Sequence, residues 1–432
     1  SNKIIYVTNS QRMKTKQKVI VVGGGFAGIQ LIRKLDPAYF DVLLIDKLNH
    51  HQFQPLFYQV ATSQLEPSSI AFPLRNIFKR SENVQIRLAE VLNVEVANNF
   101  VTTTIGGFHY DILVIAIGCK TNFFGNKNLS QNTFTLKTTY EAIAIRNHIL
   151  ETFEKIISAN ETEKESLSNL VIVGAGPTGV ELAGAFAEIK KLILPKDYPR
   201  IDFSRFSIIL IEGSEHTLNN MSEFARRASH KYLTDFGVSI HTNTIVKDYD
   251  GNTLSLNDGT TIATKTVIWA AGVIGNSLKG IPASALLHNN RIVVNRINQV
   301  NTFKNIYAVG DIAMMETPLY PKGHPQVANV AINQAKNLAN NLKRMANGKQ
   351  TKEFEYRDLG SMATIGTNKA VVDLPFVRFK GYLAWLFWTF LHLMLILSVR
   401  NKVIIFFNWV WAYVTKDTSL RLILKQTRNN PE

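Results

Sequence analysis

The sequence predicts an α/β protein: two similar parallel-sheet domains, each with a glycine-rich strand-to-helix turn, followed by an apolar helical segment. Three observations predict it. A β-branched run, a glycine-rich turn and a helical pattern follow one another from Lys18 and again from Leu170. Each is succeeded by a strand that ends in a carboxylate, Asp46 or Glu212. Beyond Tyr382 the composition changes abruptly to long uncharged runs.

The chain has 432 residues, and at about 150 residues per domain that length fits two or three domains. Apolar residues make up 46% and charged ones 19%, which excludes a disordered chain. Forty-eight Lys+Arg against thirty-three Asp+Glu leave a net charge of +15. That excess implies contact with something anionic, such as nucleic acid, a membrane surface or a charged cofactor. The single cysteine, Cys119, excludes a disulfide framework, a Cys–Cys redox pair and a Cys-rich zinc or iron–sulfur site. No metal site is expected. The start at Ser1 shows no secretion-signal pattern, which places the bulk of the chain in the cytosol.

Residues 1–17 are polar and are read as an arm. Val19-Ile20-Val21-Val22 then gives a strand, Gly23 to Gly28 the turn, and Ile29 to Leu35 the start of a helix; this succession opens a βαβ unit. Residues 41–46 (DVLLID) form the second strand. The same grammar returns in residues 170–173 (LVIV), the turn Gly174 to Gly179, a helix, and residues 207–212 (SIILIE). Return strands follow at 111–118 (DILVIAIG) and 266–272 (TVIWAAG). Gly118 lies 90 residues after Gly28, and Gly272 lies 93 after Gly179. Each return strand follows a hairpin, expected to turn at Gly106-Gly107 and at Asp258-Gly259. One architecture thus occurs twice, the second copy carrying an extra stretch near Leu192 to Arg205. Residues 160–169 are polar and read as a loop. A strand at 305–309 ends in Gly310-Asp311, and a helix is expected from Pro325 to Met345.

A dinucleotide's pyrophosphate is held by bare backbone N–H groups at a helix N-terminus, where glycine allows the tight turn, the close approach and the helix–strand packing. Gly23, Gly25 and Gly28 satisfy this pattern, with Phe26 and Ala27 inside the turn. So do Gly174, Gly176 and Gly179, with Pro177 and Thr178. Asp46 follows Gly28 by 18 residues, near the roughly 20 expected of a carboxylate that binds ribose hydroxyls; Lys47 is placed beside it. Glu212 follows Gly179 by 33 residues, and its bland alternative is a solvated strand end. Two such cradles imply two dinucleotides. Two in one chain imply electron transfer between a resident flavin and a passing nicotinamide. Gly310-Asp311 offers a carboxylate for a flavin's ribityl chain. FAD is therefore expected at the first cradle, with Ala116 and Gly118, and NADH at the second, with Ala271 and Gly272. Glu212 disfavours a 2′-phosphate and so favours NADH over NADPH. Glu181, in the first turns of the second helix, is expected near the nicotinamide, where it orients the reduced ring; simple helix-end electrostatics is the alternative.

Several longer stretches carry a resemblance. Residues 49–62 (NHHQFQPLFYQVAT), 176–184 (GPTGVELAG), 269–273 (WAAGV), 307–311 (YAVGD), 360–366 (GSMATIG) and 379–385 (FKGYLAW) together resemble the two-dinucleotide-binding-domain flavoproteins. More closely, they resemble the type II NADH dehydrogenases, the single-subunit NADH:quinone oxidoreductases, over roughly Lys18 to Lys416. The resemblance implies FAD, NADH and a membrane quinone. It implies Gln54, Pro55 and Thr62 beside the flavin, with Glu181, Gln54 and Pro55 as the catalytic set. For the quinone it implies Asn329, Asn333, Ile365 and Lys380. The family's quinone-site helix reads Ala-Gln-x-Ala-x-Gln, whereas this chain reads Ala328-Asn329-Val330-Ala331-Ile332-Asn333, so both amides are one methylene shorter. Helix polarity without contact is the alternative for that pair. The family's flavin stretch ends Ala-Thr-Gly; here Ser63 follows Thr62, and a different local backbone angle is expected. Lys380 faces the quinone path or snorkels to lipid headgroups. Disulfide reductases and sulfide:quinone reductases of this fold need cysteines that this chain lacks, and Cys119 is read as a packing residue.

Residues 382–399 carry no formal charge over 18 positions; Arg400-Asn401-Lys402 interrupts, and residues 403–414 add 12 more. At about 1.5 Å per residue the first run reaches roughly 27 Å, short of a ~30 Å hydrocarbon core. Two helices lying in the membrane interface fit better. Trp and Tyr suit the headgroup region, and Arg400, Lys402, Lys416, Arg421, Lys425 and Arg428 suit an anionic lipid surface. Thr389 and His392 form only a thin polar stripe. A buried hairpin and a homodimer interface are the alternatives. No nucleic acid is expected, because no aromatic-interleaved basic groove or helix-turn-helix pattern occurs.

The expected organisation is a Rossmann-like FAD domain in two parts, residues 1–120 and 275–345, around a Rossmann-like NADH domain at 121–274. Residues 346–432 complete a quinone site and membrane anchor. The expected reaction is NADH oxidation by hydride transfer to FAD and reduction of a membrane quinone without proton pumping. The expected placement is monotopic, on the cytoplasmic face of the cell membrane. Two rivals stay open: a soluble FAD-dependent NAD(P)H reductase of a small electron-carrier protein, and a flavin-dependent redox sensor or binding protein with little turnover.

Overall fold

A computed structural model describes residues 15–418 and 420–424. The chain forms two units. The first comprises Ser1–His51, Pro73–Cys119 and Gly275–Tyr356; the second comprises Gln52–Phe72, Lys120–Ile274 and Arg357–Glu432. Most of the expected arm, and the basic residues Lys425 and Arg428, lie outside the described residues.

The first unit is built on a five-stranded parallel sheet in the order Ile306–Ala308, Ile112–Ile115, Gln17–Val22, Phe40–Asp46, Val84–Leu88. The central strand is covered on both faces, which is why it reads as an unbroken apolar run. Val19 and Val21 join one buried cluster, while Ile20 and Val22 join the other. Helices Phe26–Lys34 and Ala328–Ala346 pack together on the first of these faces. A three-stranded antiparallel sheet, Val91–Glu95, Phe100–Thr103 and Gly106–His109, completes the unit. Its second hairpin turns at Thr104-Ile105, not at the expected Gly106-Gly107. Gly107 serves a different purpose: a Cβ there would stand 1.9 Å from the Phe100 ring, which packs across it.

The second unit repeats the plan. Its parallel sheet runs Ser239–His241, Ser207–Ile211, Asn169–Val173, Thr266–Trp269, the same order as four of the five strands above. Its antiparallel sheet is Val246–Tyr249, Thr253–Leu256 and Thr261–Ala263, with Asp258-Gly259 in the expected turn. A further antiparallel sheet, Ser361–Gly366, Lys369–Asp373 and Arg378–Lys380, precedes helices Tyr382–Leu395 and Val399–Thr415.

Gln52–Phe72 was expected in the flavin domain and residues 346–432 as a separate region. Packing groups Gln52–Phe72 and Arg357–Glu432 with the second unit instead. Helix Phe57–Ala61 lies against helices Thr139–Ser158 and Pro177–Glu188. The strand Ser361–Gly366 approaches Pro177–Glu188 so closely that a Cβ on Gly184 would stand 1.9 Å from the Ile365 carbonyl oxygen. Residues 160–169 are not a loop: Glu161–Leu167 is a helix. Asn160 Oδ1 accepts the Glu163 N–H at 3.0 Å and the Glu163 carboxylate accepts the Asn160 N–H at 3.3 Å, a capping box that starts a helix without any apolar stripe. Helix Ala328–Ala346 begins three residues later than expected. The break between the two C-terminal helices falls at residues 396–398, and Arg400-Asn401-Lys402 lies inside the second helix.

Candidate active site

The two glycine turns match in backbone detail. Gly23 and Gly174 take φ of +106° and +103°, a region that residues with a Cβ rarely enter. A Cβ on Gly28 would stand 1.9 Å from Gly23 O, and one on Gly179 would stand 1.8 Å from Gly174 O. Gly25 and Gly176 are the N-caps of helices Phe26–Lys34 and Pro177–Glu188; among the described residues no side chain caps either helix, and a Cβ at either glycine would meet nothing within 4 Å. Each helix therefore points bare N–H donors and its positive dipole end at open space, which suits a pyrophosphate. Phe26 and Ala27 form the first turn of one helix. Pro177 and Thr178 form that of the other, where a missing N–H is tolerated. Gly118 and Gly272, at the ends of the return strands, also match, with φ of +64° and +72°. The carbonyls of Ala116 and Ala270 close against Gly23 and Gly174; Ala271 O accepts the Trp269 indole N–H at 2.7 Å.

Asp46 and Glu212 are equivalent as well. Asp46 Oδ2 accepts the Gly24 N–H at 2.5 Å and Oδ1 accepts the Leu48 N–H at 2.7 Å. Glu212 Oε2 accepts the Ala175 N–H at 2.6 Å, and Oε1 accepts the N–H and hydroxyl of Ser214, each at 2.8 Å. Glu212 is thus an organising residue of its loop and not a solvated strand end. Burial pushes the Asp46 carboxyl up, opposed by the N–H groups of Gly24 and Leu48. Both carboxylates keep lone pairs available to ribose hydroxyls. Lys47 is exposed and pairs with Glu90 at 3.6 Å.

The late loop of the first unit is held from several sides. The Gly310 N–H donates to Gln334 Oε1 at 2.9 Å. Asp311 O accepts from Arg291 Nε at 3.0 Å, Gln326 Nε2 at 3.2 Å and Cys119 Sγ at 3.4 Å. Cys119 therefore does more than pack. On helix Ala328–Ala346 the buried positions include Val330, Ala331, Gln334 and Ala335. Asn329 is exposed and Asn333 half-buried, since each lies one residue, about 100° of helix rotation, before a buried position. The buried amide beside these two positions is Gln334, which the sequence reading missed.

In the second unit, Glu181, Tyr58, Gln59, Thr364, Trp388 and Trp409 are among the residues lining a cavity of about 420 Å³. Glu181 is 9% exposed, and burial pushes its carboxyl up to about 8. The Thr364 N–H, 3.4 Å from Oε1, and the Trp388 indole oppose the rise. The indole N–H itself has no hydrogen-bond partner among the described residues, so it acts on Glu181 as a nearby dipole. Burial and the neighbouring Glu181 hold the Tyr58 phenol well above its ordinary pKa, so it stays neutral. Gln59 Nε2 donates to the Tyr58 hydroxyl at 2.8 Å, and Gln59 Oε1 accepts the Trp409 indole N–H at 2.8 Å. Tyr58, Gln59, Trp388 and Trp409 were not singled out as site residues, since their partners lie hundreds of residues away.

Other expected site residues fall elsewhere. Gln54 is exposed and Pro55 half-buried in a single 3₁₀ turn, and neither lines this cavity. Ile365 is fully buried; strand alternation turns it away, while its neighbours Thr364 and Gly366 line the cavity. Lys380 is exposed on a strand, with Nζ 5.4 Å from the centre of the Phe224 ring, not in the cavity. The Thr62 hydroxyl donates to Tyr58 O at 2.8 Å. Ser63 takes φ of +60°, a left-handed conformation that glycine favours and residues with a Cβ adopt less often, held by Ser63 N–H to Val60 O at 3.2 Å. Arg421 is engaged by Asp197 at 2.6 Å and Asp417 at 2.7 Å, which removes it from the free lipid-binding cations. Among the described residues no group of three or more His, Cys, Asp or Glu is placed to hold a metal ion.

Residues 17–335 match the pyridine nucleotide-disulphide oxidoreductase family, and residues 359–416 match the NDH2 C-terminal domain. The type II NADH:quinone oxidoreductase Ndh of Mycobacterium tuberculosis (strain ATCC 25618 / H37Rv) is 32% identical, over 93% of this chain and 89% of that protein. NDH2 from Plasmodium falciparum, solved in complex with NADH, superposes with a TM-score of 0.87 at 23% identity, covering 95% of this chain and all of that one. The sulfide:quinone oxidoreductase of Aquifex aeolicus shares the fold at a TM-score of 0.71 and 21% identity, covering 89% of this chain and 92% of its own. With paired nucleotide cradles, matching acids and both regions of the family accounted for, the chain belongs to the type II NADH:quinone oxidoreductases, within the pyridine nucleotide-disulphide oxidoreductase family.

Proposed function

We propose that the chain oxidises NADH and reduces a membrane quinone, with FAD at the first cradle and NADH at the second. The duplicated, uncapped helix N-termini, each with its loop-bound carboxylate, carry this reading. Gly23, Gly25, Gly28 and Asp46 would hold FAD, with Gly310 and Asp311 toward its ribityl chain. Gly174, Gly176, Gly179 and Glu212 would hold NADH. When bound, FAD supplies the two-electron relay between NADH and quinone.

Of the two hydrogens that turn a quinone into a quinol, one is brought by the hydride of NADH and the other is a proton from solvent, which a residue of the chain would relay. A buried carboxyl whose pKa is about 8 keeps its proton near neutral pH and is matched to donate it. Tyr58 stays neutral beside it. The aromatic walls of Trp388 and Trp409 suit a flat apolar ring, so the quinone head is assigned to this cavity. Glu181 also lies on the second cradle helix, Pro177–Glu188, and the role expected for it in orienting the reduced nicotinamide is kept as part of this proposal.

The C-terminal helices are assigned to the membrane surface. Among the described residues no helix is long and apolar enough to cross a membrane. Thr389 lines the cavity, and His392 Nδ1 hydrogen-bonds Trp388 O at 2.8 Å, so the polar stripe faces inward. Leu383, Phe390, Phe407, Trp411 and Val414 are exposed, a patch too apolar for water alone. The net charge of +15 suits the anionic cytoplasmic leaflet, and the cytoplasmic face also gives access to NADH. The deciding measurement is anaerobic rapid mixing. NADH should bleach the flavin, and a quinone should then restore it; a reduced enzyme that ignores quinone removes the reading.

A further inference from the structure

A second cavity in the second unit, about 330 Å³, is used by nothing above. Arg146 lines it and is 2% exposed. Its Nε and Nη2 are covered and have no hydrogen-bond partner among the described residues. Burial holds the guanidinium below the usual arginine range, yet an arginine side chain does not lose its proton in a protein. Buried charges are almost always paired, and among the described residues no carboxylate is bonded to this cation. Two carboxylates do line the cavity, but both are exposed and committed. Glu154 accepts the Tyr198 hydroxyl at 2.6 Å, and Asp197 pairs with Arg421 at 2.6 Å.

Thr62, Ser63, Tyr198 and Arg421 also line the cavity, the last already paired with Asp197 and Asp417; most of the remaining wall is apolar. Ile149, Leu150, Phe153, Phe186, Ile189 and Ile193 are all buried. Ile189 and Ile193 bound a wide π-helical turn, Ile189–Ile193, that continues the second cradle helix, a feature frequent at functional sites. The left-handed Ser63 also lines the cavity. One buried fork of donors amid hydrocarbon surface matches a ligand with one flat anionic head and one chain. The volume is at the lower end for small-molecule sites, which suits a single chain. The paired acids at the exposed side work against a dianion.

We propose that this cavity binds a single-chain aliphatic carboxylate, its head on Arg146 and its chain against the Ile149–Phe153 and Phe186–Ile193 walls. The site is separate from the NADH:quinone chemistry and is tested without turnover. Delipidated holoenzyme is titrated with carboxyl-¹³C decanoate and followed by NMR. Decanoate should bind saturably to the wild type, at least tenfold more weakly to Arg146→Met, and with intermediate affinity to Arg146→Lys. Decanol, which lacks the charge, and acetate, which lacks the chain, should each bind at least tenfold more weakly than decanoate. Without ligand, Arg146→Met should melt at a higher temperature than the wild type because an unpaired buried charge is gone; decanoate should raise the melting temperature of the wild type most, of Arg146→Lys less and of Arg146→Met least. The proposal is overturned if decanoate binds Arg146→Met as it binds the wild type, if decanol matches decanoate, or if Arg146→Met melts lower. Tighter binding of decyl phosphate than of decanoate would move the site to phosphate-headed lipids and overturn the carboxylate assignment.

Discussion

Trp409 Nε1 donates to Gln59 Oε1 at 2.8 Å, so helix Val399–Thr415 is bonded to a short helix 350 residues earlier. Gln59 passes the link to the Tyr58 hydroxyl, at the wall of the cavity that holds Glu181. Trp409→Phe keeps the ring but leaves the buried Gln59 oxygen without its donor, at a cost of about 1–3 kcal/mol. The quinone KM should rise several-fold while flavin reduction by NADH keeps its rate. Separate measurement of the two half-reactions checks this; equal slowing of both would place Trp409 in general stability and not at the quinone.

Glu181 gives a pH prediction with a definite sign. Its folded pKa is raised from 4.5 to about 8. Below pH 4.5 both folded and unfolded chains hold the proton, and the stabilising contribution is complete. Between 4.5 and 8 the unfolded chain releases its proton while the folded chain keeps it, so stability declines with rising pH, and above 8 the loss is complete. Glu181→Gln should remove this slope and stabilise the protein at pH 8 by on the order of 2–4 kcal/mol. Quinone-dependent turnover of the wild type should fall as pH passes about 8, when the donor is ionised. The Gln variant should be slower by ~10²-fold and insensitive in that range. A wild-type rate that stays flat through pH 9 would refute the proton-donor role.

The two cradles can be told apart by one methyl group each. In Gly28→Ala and Gly179→Ala the new Cβ would meet the carbonyl oxygens of Gly23 and Gly174 at 1.9 and 1.8 Å, so each turn must open, at a cost of roughly 1–3 kcal/mol. Gly28→Ala should purify with little flavin. Gly179→Ala should keep its yellow colour but show an NADH KM raised at least tenfold. Absorbance at the flavin band and NADH titration distinguish the outcomes, and the reverse pattern would exchange the two assignments.

These cradles were legible because everything that defines them is local. The glycine spacing, the strand before it and the acid about one strand later set the backbone by themselves, and Glu212 kept its place at a strand end despite the extra residues before it. The cavity was not legible, because Trp388, Trp409 and Thr364 meet Tyr58 and Glu181 only through packing across long separations. Motif matching named Asn333, but helix rotation buries its neighbour Gln334. Strand alternation likewise replaces Ile365 by Thr364 and Gly366. The helix Glu161–Leu167 lacks an apolar stripe, so periodicity missed it, although the Asn160–Glu163 capping box was present in the sequence.

The outward face of the C-terminal helices gives the last prediction. Phe390 and Phe407 are 62% and 63% exposed, one on each helix, while Trp388 and Ile405 are buried. Acidic substitution at the exposed pair disturbs no buried contact but opposes insertion into an anionic interface twice, by removing apolar area and by adding like charge. Phe390→Asp/Phe407→Asp should therefore fold with an unchanged melting temperature in detergent and reduce a short-chain soluble quinone at the wild-type rate. Its flotation with vesicles containing phosphatidylglycerol should fall at least tenfold, and its turnover of a long-chain quinone embedded in those vesicles should fall in parallel. Arg400→Ala, which removes one exposed cation beside the same face, should weaken flotation modestly and mostly at low salt. Undiminished vesicle binding by the double variant would mean that another surface of the chain meets the membrane.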